Sequence, residues 1–311
     1  MYKIKESPKD FIVKEIPDYD LDRSGDYSYF WLIKKNTTTM DAVKRIADRL
    51  KIPLKNIGFA GTKDKKAITK QTVSIKKIKK EKIESLNLKD IKLEFIGKSS
   101  SPISLGDLKG NEFVITVRNI TKDKIKPKEI IPNLFGPQRF STNNIEIGKA
   151  IIKRNLEKAL KLIDKKEVQK HLEKFPGDYI GALRKIPLKI RRIYIHAYQS
   201  MLWNKTVKKY INLGHHQNIK IPIIGFGTNI KSIEDEDLKK IIKDILSKEE
   251  ITTRDFILPA IKELSAEGDK RDLFMKIQNL EIETKKDRAI VSFSLPKGSY
   301  ATVVIEEIFN S

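Results

Sequence analysis

The sequence predicts an α+β fold in which one sheet-forming domain is interrupted by a helical insertion. Three observations carry this. The first 120 residues are dense in short strand patterns, the middle of the chain turns helical and very Lys-rich, and the end reverts to strand patterns. A chain that begins and ends in strands around a helical middle is most simply one domain with an insertion. Its N- and C-terminal strands then share one sheet.

Taken in order, Phe11 to Ile16 (FIVKEI) reads as a short strand, and Asp26 to Lys34 (DYSYFWLIK) as a longer aromatic one bounded by Ser24-Gly25. Thr38 to Leu50 is an amphipathic helix. Ala42, Val43, Ile46, Ala47 and Leu50 recur at helical spacing, and the hydroxyl of Thr38 or Thr39 suits an N-cap. Ile57 to Ala60 is a short apolar run ending at Gly61. Gln71 to Ile75, Ile91 to Gly97 and Asn111 to Val117 read as strands, the last alternating strongly after a Lys109-Gly110 turn. From Asn144 to Lys174 the pattern is helical. A second helix spans Arg191 to Leu213, with Tyr194, Ala197, Tyr198, Met201, Leu202 and Val207 along it, and a third spans Asp235 to Leu246. Asn279 to Glu283, Ala289 to Leu295 and Ala301 to Phe309 then read as closing strands.

Composition narrows the function. With 39% hydrophobic residues the chain can bury a sizeable core, and its 33% charged residues exceed the roughly 25% of ordinary domains. The excess is basic: 63 Lys+Arg against 41 Asp+Glu, a net charge of +22. Lys and Glu enrichment accompanies thermal adaptation, but an ion-pair network would balance the two signs. An imbalance this large attracts polyanions, nucleic acid first. The absence of cysteine excludes disulfides, thiolate catalysis and Cys-based metal sites. Of the four histidines, His171, His196, His215 and His216, none stands in HExxH spacing, and the adjacent pair reads as a solvated turn. There is no 18-residue apolar run and no apolar core in the N-terminal MYKIKESPKDF, so a soluble cytosolic protein is expected.

The segment richest in chemistry is Gly58 to Gln71, GFAGTKDKKAITKQ. A short strand runs into Gly61, which is expected to permit a tight turn. Asp64 then projects from the loop, flanked by Lys63, Lys65 and Lys66. Cationic surroundings suit a carboxylate that acts as nucleophile or base. On the residues alone, a solvated charged turn fits as well, and the spacing is not that of a P-loop.

The same segment resembles the hallmark motif of the TruD family of tRNA pseudouridine synthases. Five others resemble that family in its chain order: KESPKDFIVKEI (5–16), LKGNEFVITVRNI (108–120), NLFGPQRF (133–140), RRIYIHAYQSMLWN (191–204) and SLPKGSYATVVIEE (294–307). The resemblance covers nearly the whole chain. It implies a pseudouridine synthase core with a mixed, largely antiparallel sheet and covering helices. A TruD-type insertion at 140–261 would divide a catalytic domain formed by 1–139 and 262–311.

The resemblance also implies roles. Asp64 matches the catalytic aspartate and Lys5 the basic residue that pairs with it. Phe113 matches the ring that stacks on the target base, Asn111 an amide facing its edge, and Phe11 and Tyr300 positions near the target nucleotide. The substrate implied is tRNA, usually at uridine 13 in the D arm. No metal, cofactor or redox change is called for, and the expected working form is a monomer. Ordinary core packing is the competing reading for each aromatic, and a surface lysine for Lys5. Two positions depart from the family pattern: Tyr300, where Phe is frequent, and Ser141, where Gly commonly follows the Phe. Arg139, Arg191 and Arg192 are candidate phosphate contacts, while Tyr198 and Trp203 read as core. A non-catalytic RNA-binding protein and an RNA-independent assembly factor remain as rivals.

One prediction follows from charge alone. Affinity for tRNA should fall steeply between about 50 and 200 mM salt, because each neutralised phosphate releases counterions. A flat dependence in a filter-binding titration would assign the +22 charge to another cause.

Overall fold

The computed structural model describes residues 2–309 apart from 23, 85, 122–124 and 142. The chain forms two compact units. Unit 1 comprises Met1–Ile131 and Lys276–Ser311, and unit 2 is Pro132–Met275. These limits differ from the 139/140 and 261/262 breaks suggested by the sequence. The reason is pairing within unit 2. Ile221 pairs with Arg271, and the Asn133 N–H donates to the Leu273 carbonyl, so both flanks belong with the helical middle.

Unit 1 begins with β1 (Phe11–Pro17), β2 (Tyr27–Lys35), α1 (Thr39–Leu50), β3 (Ile57–Phe59), β4 (Ile68–Lys76), α2 (Lys80–Glu84), β5 (Ile91–Ser99) and β6 (Leu108–Arg118). The chain passes through β7 (Ile130–Pro132) into α3 (Asn144–Ile152), α4 (Leu156–Lys161), α5 (Lys166–Lys174), α6 (Tyr179–Arg184), α7 (Leu188–Asn212), β8 (Lys220–Ile223), α8 (Glu236–Glu249) and β9 (Asp269–Asp272). It returns by β10 (Phe274–Lys276) to β11 (Gln278–Lys285), β12 (Arg288–Pro296) and α9 (Ala301–Phe309).

The sheet of unit 1 runs β11-β12-β6-β1-β4-β2-β5, with β3 beside β4. The β1–β4 pair is parallel, and the β1–β6, β11–β12, β12–β6, β2–β4, β2–β5 and β3–β4 pairs are antiparallel. Strands from both ends of the chain therefore share one sheet, as the strand pattern predicts. Register sets one working face. Val13 lies opposite both Thr69 and Phe113, and Phe113 lies opposite Phe293. Over part of the sheet α1 packs Ala42, Val43, Ile46, Ala47 and Leu50 against Phe30, Leu32, Val73 and Ile75. Thr38 is its N-cap, accepting the Asp41 N–H at 3.0 Å, which leaves Thr39 free for another task.

The C-terminal segment corrects the sequence reading. Ala301 to Phe309 is helix α9, not a strand. Its β-branched residues favour a strand, but Ala301, Val304, Ile305 and Ile308 recur at helical spacing and are buried, while Glu306 is exposed. Packing of that stripe overrides propensity. The helical stretch 144–174 divides into three helices, with Arg154 in a left-handed conformation between α3 and α4. Ser141, at the family's usual glycine, also has a positive φ of 46°. A glycine would hold that backbone without strain.

In unit 2, Tyr198 and Trp203 on α7 are fully buried, as expected. Arg191 is buried and ion-paired with Glu263 at 2.8 Å, so it is a structural group rather than a phosphate contact. Arg192 remains exposed. Arg139 lies with its Nε 3.4 Å from Ser200 Oγ.

One charge pair in unit 1 stands apart. Glu15, on β1 just past its last residue paired with β4, has a side chain 0% exposed, and its Oε2 lies 2.7 Å from the Nζ of Lys63, whose side chain is only 7% exposed. Its other oxygen accepts the Thr72 N–H at 3.0 Å and the Thr72 hydroxyl at 2.6 Å. Removing one partner of such a pair strands the other charge. Lys63→Met should therefore cost about 3–5 kcal/mol by urea denaturation, and adding Glu15→Gln should recover much of that loss. A single variant as stable as the wild type would show that Glu15 is satisfied without Lys63.

Candidate active site

The loop between β3 and β4 carries Asp64. Its backbone is held by side chains from three elements. Gln71 on β4 donates through Nε2 to the Gly61 carbonyl at 2.9 Å. Thr39, the first residue of α1, accepts the Lys63 N–H at 2.8 Å and donates to Gln71 Oε1 at 2.8 Å. Lys34 on β2 donates to the Asp64 carbonyl at 2.9 Å. Two sequence expectations change here. Gly61 has no left-handed φ, and a Cβ there would meet only Lys63 Nζ at 4.0 Å, so the turn does not require glycine. Lys63 does not flank the carboxylate either, because it turns inward to Glu15.

The cation beside Asp64 comes from far away in sequence. Lys5 Nζ donates to Asp64 Oδ2 at 2.7 Å, with the two side chains 23% and 42% exposed. A bond this short is charge-assisted and fixes the direction of the carboxylate. Lys5 has a φ of 57°, a conformation that costs a non-glycine residue energy and persists only where neighbours enforce it. They do so here. Lys3 and Arg118 exchange backbone hydrogen bonds at 2.9 and 2.8 Å, and Asp10, buried, pairs with Arg118 at 2.7 Å and accepts the Ser7 N–H at 2.8 Å. Burial pushes the Asp10 carboxyl up, but the Arg118 and Ser7 hydrogen bonds outweigh it and hold the group below its ordinary value.

From Lys5 a row of aromatics leads across the sheet. The Lys5 ammonium sits 4.0 Å above the centre of the Phe11 ring, a cation–π contact. Phe11 meets Phe113 edge-on at 6.2 Å, and Phe113 stacks on Phe293 at 5.4 Å and 27°. Both Phe11 and Phe113 are buried. Asn111, two residues before Phe113 on β6, pairs in register with Glu15 and Leu295, and its Oδ1 is buried without a hydrogen-bond partner. Gly110 makes this approach possible, since a Cβ there would stand 2.2 Å from the Leu295 carbonyl oxygen. Tyr300 belongs to a different element. It is half-buried just before α9, and its carbonyl accepts the Val303 N–H at 3.1 Å.

The structure thus joins Asp64, Lys5, Phe11 and Phe113 in one chain of contacts, places Asn111 on the same strand as Phe113, and leaves Tyr300 at the edge of α9. Lys34, Thr39, Gln71 and the Glu15–Lys63 pair are additions. No sequence signal marks them, because in a chain this rich in lysine a buried cation reads like any other. Among the described residues, no group of three or more His, Asp or Glu side chains is arranged to hold a metal ion. Among the described residues, no helix is long and apolar enough to cross a membrane.

Comparison with known proteins gives the family. The family model for tRNA pseudouridine synthase D (TruD) matches residues 2–170, 161–221 and 215–308. A tRNA pseudouridine synthase D of Aquifex aeolicus is 33% identical over 380 aligned residues, covering 99% of this chain and 98% of the relative. A TruD crystal structure from Methanosarcina mazei superposes with a TM-score of 0.74 at 26% identity, covering 99% of this chain and 93% of that one. With a family match that spans both units, a relative alike over its whole length and a shared fold, this chain belongs to the tRNA pseudouridine synthase D (TruD) family.

Proposed function

We propose that this tRNA pseudouridine synthase isomerises uridine 13 in the D arm, with Asp64 as its nucleophile and Lys5 as the partner that aims it. The observation that carries the reading is the 2.7 Å Lys5–Asp64 pair, set on a side-chain-held loop beside the Phe11–Phe113 row. Isomerisation breaks the bond between N1 and ribose C1′, turns the uracil and joins its C5 to C1′; C5 gives up its proton and N1 takes one up, so that substrate and product are isomers. An anionic nucleophile serves the glycosidic step. The chemistry moves no net electrons and calls for neither metal nor cofactor.

Asn111 and Phe113 are proposed to receive the flipped base, with Phe11 beneath Lys5 and Tyr300 at the margin. A buried amide oxygen without a partner supports this role for Asn111, because the N3–H of uracil would satisfy it. Unit 1 is then the catalytic domain and unit 2 the family insertion. Flipping the base out of folded tRNA costs a few kcal/mol, which phosphate contacts by the +22 protein would offset. The proposed setting is the cytoplasm, with the protein acting as a monomer.

Two variants test the reading. Asp64→Asn should abolish turnover while tRNA affinity stays within a few-fold, and single-turnover activity within tenfold of wild type would remove Asp64 from the mechanism. Phe113→Leu keeps apolar volume but loses the π-face. It should lose activity with only a modest stability cost, whereas wild-type turnover would return Phe113 to the core. Both are read by chemical labelling and primer extension on unmodified tRNA, and a stop at a uridine other than 13 would reassign the target.

A further inference from the structure

Lys34 is the most completely buried lysine among the described residues, 1% exposed near the end of β2. No carboxylate among the described residues lies within ion-pair distance of it. Its hydrogen-bond partners are all backbone carbonyls: Thr37 at 2.8 Å, Asp64 at 2.9 Å and Lys63 at 3.5 Å. Thr37 lies in the turn that leads into α1, and the other two are the carbonyls on either side of the Asp64 Cα. One ammonium, with three N–H donors, therefore joins the end of β2, the entry to α1 and the Asp64 loop. Thr39 and Gln71 grip the same loop through Lys63 N–H and the Gly61 carbonyl. These contacts fix the backbone around Asp64 and leave its carboxylate the outward-facing group.

Placing an unpaired ammonium there is expensive. A buried cation is costly even after relaxation; an apolar side chain of similar length would spare that cost but leave three carbonyls without this donor. Burial pushes the Lys34 ammonium down to about 8, with the Asp64 charge opposing and Lys63 adding to the shift. The group still carries its proton at neutral pH.

We propose that Lys34 is a positioning residue for the isomerisation: by binding the carbonyls of Thr37, Lys63 and Asp64, it fixes the backbone from which the Asp64 carboxylate is presented. The proposal rests on the reading of Asp64 as nucleophile. Reacting groups displaced by about 1 Å can lose on the order of 100-fold in rate, so a loosened loop should act on the chemical step and spare substrate binding.

The test compares Lys34→Met with Thr39→Val, which releases the Lys63 N–H, and with Lys35→Met, an exposed neighbour. Single-turnover rate, tRNA dissociation constant, thermal melt and amide exchange are measured for each, with Asp64→Asn alongside. Lys34→Met should lose at least tenfold in rate, with affinity within twofold, a cooperative melt and faster exchange confined to the turn at Thr37 and residues 61–66. Thr39→Val should shift rate and exchange in the same direction by less, and Lys35→Met should match wild type. A folded Lys34→Met enzyme within twofold of the wild-type rate would overturn the proposal. Loss of cooperative melting would do the same, by assigning Lys34 to the fold, as would a rate loss matched by lost affinity. If Asp64→Asn is inactive while Lys34→Met is normal, only the role of Lys34 falls. If Asp64→Asn is active, the nucleophile reading falls with it.

Discussion

A fully buried carboxylate cannot stand alone, and the geometry around Asp64 follows from how Glu15 is satisfied. Where β1 leaves β4 its pairing with β6 continues, and on the β4 side Glu15 accepts both the N–H and the hydroxyl of Thr72. Its remaining oxygen draws in Lys63. With Lys63 turned into the protein, the next residue of the loop, Asp64, turns out toward Lys5. Electrostatic satisfaction inside the sheet and exposure of the acid outside it are two sides of one backbone path.

The fold sorts cations that look alike in the sequence. Lys63, Lys65 and Lys66 are near neighbours, yet the first is buried in an ion pair while Lys65 and Lys66 are exposed. Lys34 and Lys35 are adjacent, but strand alternation sends one inward and the other to solvent. The basic surplus is therefore not a uniform coat for polyanions. A few of its members are part of the scaffold, and composition cannot say which.

Much of the fold was legible because periodicity reports burial directly. The alternation of FIVKEI and NEFVITV and the helical stripe of α1 correspond to the faces that pack. The failures have physical causes. The β-branched run in α9 disguised a helical stripe, and a single Lys-rich tract concealed the breaks between α3, α4 and α5. The candidate site was legible as a list of residues through family resemblance. The links between them depend on register across β1, β4 and β6 and on the strained backbone of Lys5, which no local pattern encodes.

The sheet joins β6 to β12, strands separated in sequence by the whole of unit 2. At the point of departure the Ile277 N–H donates to the Glu129 carbonyl at 2.7 Å, so the long excursion leaves and returns at one place. Each doubling of a loop adds about 0.6 kcal/mol of closure entropy. Once the excursion has closed on itself, the remaining search between β6 and β12 is that of a short hairpin, several doublings smaller. With the excursion closed, bringing β6 to β12 costs the closure entropy of a far shorter loop, and a change of length within the excursion adds little to it.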